Sequence, residues 1–259
     1  MRNFITPVKA LTPGRVALAM AALFYSGLFS VGPILVGALM TGCSTVHVDE
    51  NDPISLLNEA EQEIKSDHYL LAIDKLRIIK NKFPYSSAAV DAQLRIADVY
   101  FMQESYTESA ASYEAFRDLH PKHEKTPYAM FRIGKSYYND IPSTVARDLT
   151  PAQKAMEAYK NYLAHYPAGP DWTEAAKDIA EIRNLLAHKE LSIGDFYYNR
   201  NFYDSAKPRY KKIIELYSDT QAGKQAQEKL ALITPQIDLK ASQQKSEEPS
   251  KNGRTHPKQ

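Results

Sequence analysis

Cysteine occurs once in 259 residues, which excludes an internal disulfide, a cysteine-rich zinc site and an iron–sulfur cluster. Glycine is scarce as well. Ten residues are too few for the Gly-rich turns of a β-sandwich or a nucleotide-binding α/β fold. A surplus of positive charge is missing: 32 Lys and Arg stand against 31 Asp and Glu, which argues against a nucleic-acid partner. The P-loop, the dinucleotide fingerprint, HExxH and GxSxG are all absent, so no activity of the common motif-bearing enzymes is expected. What remains is a chain with 44% hydrophobic residues, long enough for one large or two ordinary domains.

The N-terminus lacks acids. Residues 1–42 contain Arg2, Lys9 and Arg15 and no Asp or Glu, and from Val16 to Gly42 there is no charge at all. A cationic start before an apolar stretch reads as a secretory signal. The stretch is also long enough to span a bilayer. Gly27, Gly32, Pro33 and Gly37 weaken a continuous helix and favour cleavage. The stretch ends in Leu39-Met40-Thr41-Gly42-Cys43, which resembles the lipobox of bacterial lipoproteins. That resemblance implies that Cys43 takes a diacylglycerol, is exposed by cleavage before it, and then receives an N-acyl chain such as palmitate. A thiolate is the best alkyl-accepting side chain, and several acyl chains hold a domain at a membrane where one does not. Ser44, where Asp would retain the protein at the inner membrane, points to the outer membrane and its periplasmic face. Four segments are expected: a signal peptide at 1–42, a lipidated tether at 43–53, a helical domain at 54–233, and a disordered tail at 234–259.

From Ile54 to Ile233 apolar residues recur at helical spacing, with no sustained alternation. An internal repeat shows when Tyr69, Tyr106, Ala152 and Tyr203 are set in register. Three residues on stand Ala72, Ser109, Ala155 and Ala206; seven on, Leu76, Tyr113, Tyr159 and Tyr210; ten on, Ile79, Phe116, Tyr162 and Ile213. The segments close on Phe83-Pro84, His120-Pro121, Tyr166-Pro167 and Tyr217-Ser218. Before three of the four stands a second pattern: Ile96-Ala97-x-x-Tyr100, Ile133-Gly134-x-x-Tyr137 and Ile193-Gly194-x-x-Tyr197. Tyr137 stands nine residues farther from its marker than Tyr100 and Tyr197 do, which places an insertion in the third pair. This is the arrangement of tetratricopeptide repeats, in which a small residue lets two helices cross closely and an aromatic fills the gap. The expectation is an all-α solenoid of about five repeats. The pairs fall near Ile54–Phe83, Tyr85–His120, Thr126–Tyr166 and Asp171–Tyr217, with a last helix near Thr220–Ile233. The repeated tyrosines are read as core. Asp171 with Glu174 reads as a capping box, and Trp172 as packed between helices.

Other signals carry less. His120-Pro121-Lys122-His123-Glu124 lacks a third committed metal ligand. Asp148 beside Arg147 reads as a turn-stabilising ion pair. Glu61/Glu63 and Asp178/Glu181 read as ordinary exposed helix charge. Lys211-Lys212 is too short for a nucleic-acid or headgroup patch.

The order of these features resembles the BamD family of lipoproteins over roughly residues 35–225. The resemblance rests on the lipobox, on Phe83-Pro84-Tyr85-Ser86 with Ala92-Gln93-Leu94, and on Tyr128-Ala129-Met130-Phe131-Arg132-Ile133-Gly134. It rests further on the insertion Ala146-Arg147-Asp148-Leu149-Thr150-Pro151-Ala152 and on Leu186-Ala187-x-x-Glu190-Leu191. It implies a non-catalytic outer-membrane scaffold of the β-barrel assembly machinery, without cofactor beyond the lipid on Cys43. Its N-terminal repeats would receive unfolded outer-membrane protein precursors. Its C-terminal repeats would dock on the barrel-forming subunit, in company with accessory lipoproteins, through positions that correspond to Arg209 and Arg200. Pro208, immediately before Arg209, is expected to bend that helix. The residues themselves point to a binding wall on the first helices, with Arg95, Tyr128 and Arg132 as candidates for client contact. Two other readings stay open: a different periplasmic repeat lipoprotein that coordinates cell-wall synthesis with envelope constriction, and a repeat-borne peptidoglycan hydrolase.

Overall fold

The computed structural model describes residues 51–247. Cys43, the signal peptide and most of the tether lie outside the described residues, as does the end of the chain from 248. Among the described residues there are nine α-helices and no strand. They are α1 (Pro53–Lys65), α2 (Tyr69–Lys82), α3 (Ser87–Met102), α4 (Tyr106–Leu119), α5 (Thr126–Asn139), α6 (Thr150–His165), α7 (Trp172–Tyr198), α8 (Tyr203–Leu216) and α9 (Gln221–Glu247). None of them is long and apolar enough to cross a membrane. Each helix packs on the next, and α1 also meets α3, α5 meets α7, and α7 meets α9. The result is four helical hairpins and a ninth helix, stacked in chain order.

The repeat columns become the core. Ala72, Ser109, Ala155 and Ala206 are fully buried, as are Leu76, Tyr113, Tyr159 and Tyr210. The closeness of the helices explains the small residues opposite. A Cβ on Gly134 would lie 2.5 Å from the Tyr159 ring, and one on Gly194 would lie 2.6 Å from that of Tyr210. Both glycines therefore sit where an aromatic ring rests on helix backbone. Asp67, Glu104 and Asn201 adopt a positive φ near 60° at the same repeat position, two residues before the second helix. Such a left-handed residue ends a helix and frees the chain to reverse.

Four apolar clusters alternate along the stack. One is shared by α1–α3, the next by α3–α5, the third by α5–α7 and the last by α7–α9. The first helices α3, α5 and α7 thus each belong to two clusters, as expected of a stack stabilised by neighbours. The 27-residue α7 is the extreme case. Its Ala175, Ile182 and Leu186 complete the third cluster, and its Ala187 and Leu191 begin the fourth.

Several local expectations change. The last helix does not stop at Ile233 but runs to Glu247. Ile237 still packs against the fourth cluster, and Pro235 inside the helix does not end it. The disorder expected from 234 therefore does not begin there. Trp172 is 42% exposed rather than wedged between helices, because it opens α7 where the chain enters the stack. Asp171 makes no side-chain cap; Glu174 turns instead to Lys135, 2.7 Å away on α5. Asp148 does not pair with Arg147. It accepts from the Thr150 backbone N–H at 3.1 Å and the Thr150 hydroxyl at 2.9 Å, closing the turn into α6. The insertion is pinned by buried Leu149 and by Lys189, which donates to the Arg147 carbonyl at 2.8 Å.

Candidate functional site

A tyrosine in a close-packed core brings a hydroxyl that needs a partner. The same solution recurs three times. Tyr113 donates to Asp98 at 2.5 Å, Tyr159 to Asp178 at 2.7 Å, and Tyr210 to Asp195 at 2.7 Å. Each acid stands on a first helix. Burial, followed by the charge and hydrogen bond of the neighbouring carboxylate, pushes these three hydroxyls far above the usual tyrosine range. They stay neutral donors at any physiological pH.

Each acid is then met by a neighbouring repeat. Tyr128 of α5 donates to Asp98 at 2.8 Å, Lys135 of α5 reaches Asp178 at 2.9 Å, and Lys229 of α9 reaches Asp195 at 2.5 Å. At the N-terminal end Arg95 of α3 clasps Glu61 of α1 with two bonds, of 2.6 and 2.8 Å. Tyr138 adds a 2.5 Å bond to Glu181 across a cleft of about 460 Å³ between α4, α5, the insertion and α7. A polar ladder thus runs along the first helices from α1 to α9. Asp178 is buried, not the exposed helix charge that its spacing with Glu181 suggests. Its surroundings on α5 and α6, remote in sequence, decide this.

Arg95, Tyr128 and Arg132 come together in this ladder around Asp98. Arg95 approaches the acid at 3.4 Å, and Tyr128 lies edge-on to Tyr113 with centroids 6.1 Å apart. Arg132 donates through Nε to the Tyr113 hydroxyl at 3.1 Å and lays its guanidinium 3.6 Å over the Phe101 ring. A guanidinium stacked on a ring keeps its outer N–H groups available. The group as a whole presents aromatic surface, one half-exposed phenol and cations. Asp98 and Phe101, which hold it, are not singled out by the sequence pattern. One signal for the acid was present: Asp98–Tyr113 and Asp195–Tyr210 are both fifteen residues apart.

Arg209 and Arg200 are held differently and do not share a partner. Glu190 of α7 receives Arg209 at 3.1 Å and Lys212 at 2.5 Å. Burial alone would raise the Glu190 carboxyl, but Lys212 and Arg209 outweigh it and hold it below the ordinary range. Arg200 stacks 3.7 Å over the exposed Phe196 ring and donates to that residue's carbonyl at 3.3 Å. Pro208 does not break the helix, since α8 runs unbroken through it. The His120 ring bonds Gln93 at 2.7 Å and packs with His123 around Phe116. No grouping of three or more metal-ligating side chains occurs among the described residues.

A family model described as YfiO, outer membrane lipoprotein, matches residues 49–248. The outer membrane protein assembly factor BamD of Vibrio cholerae is 27% identical over 206 residues, covering 75% of this chain and 86% of that one. The protein of the same name from Neisseria gonorrhoeae is 26% identical over 217 residues, 77% of this chain and 80% of that one. The one from Caulobacter vibrioides is 25% identical over 197 residues, 74% and 64%.

Proposed function

This chain belongs to the YfiO family of outer membrane lipoproteins, and we propose on that premise that it serves outer membrane protein assembly as a lipid-anchored, non-catalytic scaffold at the periplasmic face. Cys43 carries the acyl anchor. The repeats of α3–α5 receive unfolded precursors, and those of α7–α8 dock on the barrel-forming subunit, with accessory lipoproteins alongside.

The observation that carries the client half is the cluster of Arg95, Tyr128 and Arg132: the first two reach Asp98, and Arg132 donates to the Tyr113 hydroxyl, itself bonded to Asp98, and lies on Phe101. An unfolded chain offers apolar side chains, free backbone carbonyls and scattered carboxylates. A ring-backed guanidinium beside an exposed phenol can meet all three without a fixed sequence. The docking half rests on Arg200 and Arg209, two cations with exposed Phe196 and Phe202 nearby in the chain. An acidic partner surface with an apolar centre fits that composition.

The two halves are tested separately. Arg209→Glu is expected to reduce recovery of the barrel subunit in affinity purification at least tenfold; unchanged recovery would remove the docking role. Arg132→Ala is expected to reduce crosslinking of an unfolded precursor several-fold while leaving that recovery intact. Cys43→Ala is expected to leave the chain unprocessed and extractable from membranes by washing, and a mature, membrane-held form would refute acylation.

A further inference from the structure

The outer face of α2 is unlike that of every other second helix. Leu70 is 75% exposed, Leu71 46% and Ile78 48%. Leu71 and Ile78 lie two turns apart on one stripe, and Leu70 adjoins it. The repeat supplies its own control. At the matching positions α4 has Thr107, Glu108 and Ala115, α6 has Gln153, Lys154 and Asn161, and α8 has Asp204, Ser205 and Lys212. The fold therefore does not require large aliphatic residues there. Scattered exposed leucines need no explanation, but three on one face of one repeat do.

Two further facts point to what covers them. The helix carries four basic residues, Lys75, Arg77, Lys80 and Lys82, against the single acid Asp74. Lys75 is committed to Glu59 at 2.5 Å, while Arg77 is exposed, makes a long contact of 3.5 Å with Asp74 and donates through Nη2 to the Tyr100 hydroxyl at 2.8 Å. The end of α2 also lies beside the chain that leads to Cys43, because Lys82 donates to Asn51 at 3.0 Å. Asn51 is eight residues from Cys43, a reach of at most about 29 Å when fully extended.

We propose that the outer face of α2 rests on the membrane leaflet that holds the anchor, with Leu70, Leu71 and Ile78 at the boundary between headgroups and acyl chains and with Arg77, Lys80 and Lys82 on anionic headgroups. The proposal rests on acylation of Cys43. An acyl anchor alone does not fix the domain's orientation, whereas an apolar stripe flanked by cations adds a second, orienting contact. The short tether raises the effective concentration of lipid at α2, so even a weak face is occupied.

The test uses the full lipoprotein in vesicles of phosphatidylethanolamine and phosphatidylglycerol. Acylation consumes the only cysteine, so Leu71→Cys or Ile78→Cys creates the sole free thiol for a polarity-sensitive dye. A third variant, Leu239→Cys, labels an exposed apolar position on α9 as the reference. A nitroxide on the lipid acyl chain is expected to quench the dye at 71 and 78 at least threefold more than at 239, and less in vesicles of phosphatidylcholine alone. Flotation of the same samples separates the two readings. A chain that does not float has no anchor, and this contact falls with it. A chain that floats but is quenched equally at 71, 78 and 239 keeps its anchor and overturns the α2 contact. Shielding of 71 and 78 that appears only when a partner protein is added would overturn it too.

Discussion

The neighbourhoods of Asp98 and Asp195 start from one motif and end as opposites. Both acids accept a buried tyrosine hydroxyl from fifteen residues downstream. Around Asp98 the second partner is another phenol, and Phe101, Tyr113 and Tyr128 surround the Arg132 guanidinium. Around Asp195 the second partner is the Lys229 ammonium, and two residues that share Glu190, Arg209 and Lys212, lie farther along the same helix pair. The first region is ringed by aromatic surface. The second is built from cations closed on carboxylates. The repeat fixes the frame, and the residues that reach across from the next repeat decide its chemistry.

The sharpest way to break this comparison is to remove the shared acid. The Asp98 side chain is 13% exposed and that of Asp195 30%. Asp98→Ala leaves Tyr113 without its buried acceptor and is expected to cost about 3 kcal/mol, against about 1 kcal/mol for Asp195→Ala. Equal losses in denaturant unfolding would erase the distinction. Gly134→Ala and Gly194→Ala should instead behave alike, since both push a methyl into a tyrosine ring. Each is expected to cost about 2 kcal/mol by overpacking. The thermal midpoint of each checks this.

One substitution lets acid titration probe the C-terminal region. The Glu190 carboxyl is lower in the fold than in the unfolded chain, so its ion pairs stabilise fully above its unfolded value. That contribution is lost as the pH falls through the folded value. Glu190→Gln is therefore expected to flatten the acid limb of the stability curve below about pH 4.3 and to cost about 1 kcal/mol at neutral pH. A limb of unchanged slope would count against the assignment. The smallest effect belongs to Arg77→Ala. Its contacts with Asp74 and with the Tyr100 hydroxyl are both exposed, so stability should change by less than about 0.5 kcal/mol while the quenching at 71 and 78 falls.

Much of the frame is legible because a repeat states its own alignment. The columns at Tyr113, Tyr159 and Tyr210 give the hairpins, their order and the insertion before α6. The family follows from that order with the lipobox. What escapes the sequence depends on contacts between repeats. Asp178 reads as surface charge because its partners, Lys135 and Tyr159, stand 43 and 19 residues away. Glu174 reads as a cap because local spacing cannot show that Lys135 competes for it. The last helix is expected to stop near Ile233, yet Ile237 still finds the core.

The length of α7 has a practical consequence for anyone dividing this molecule. One continuous rod of about 40 Å closes the third cluster with its first turns and opens the fourth with its later ones. No seam lies between them. A fragment ending at Tyr166 would strip the cover from Phe131 and Tyr162, and one beginning at Ala187 would start in the middle of a helix. The two ends of the stack must be inherited, folded and lost together.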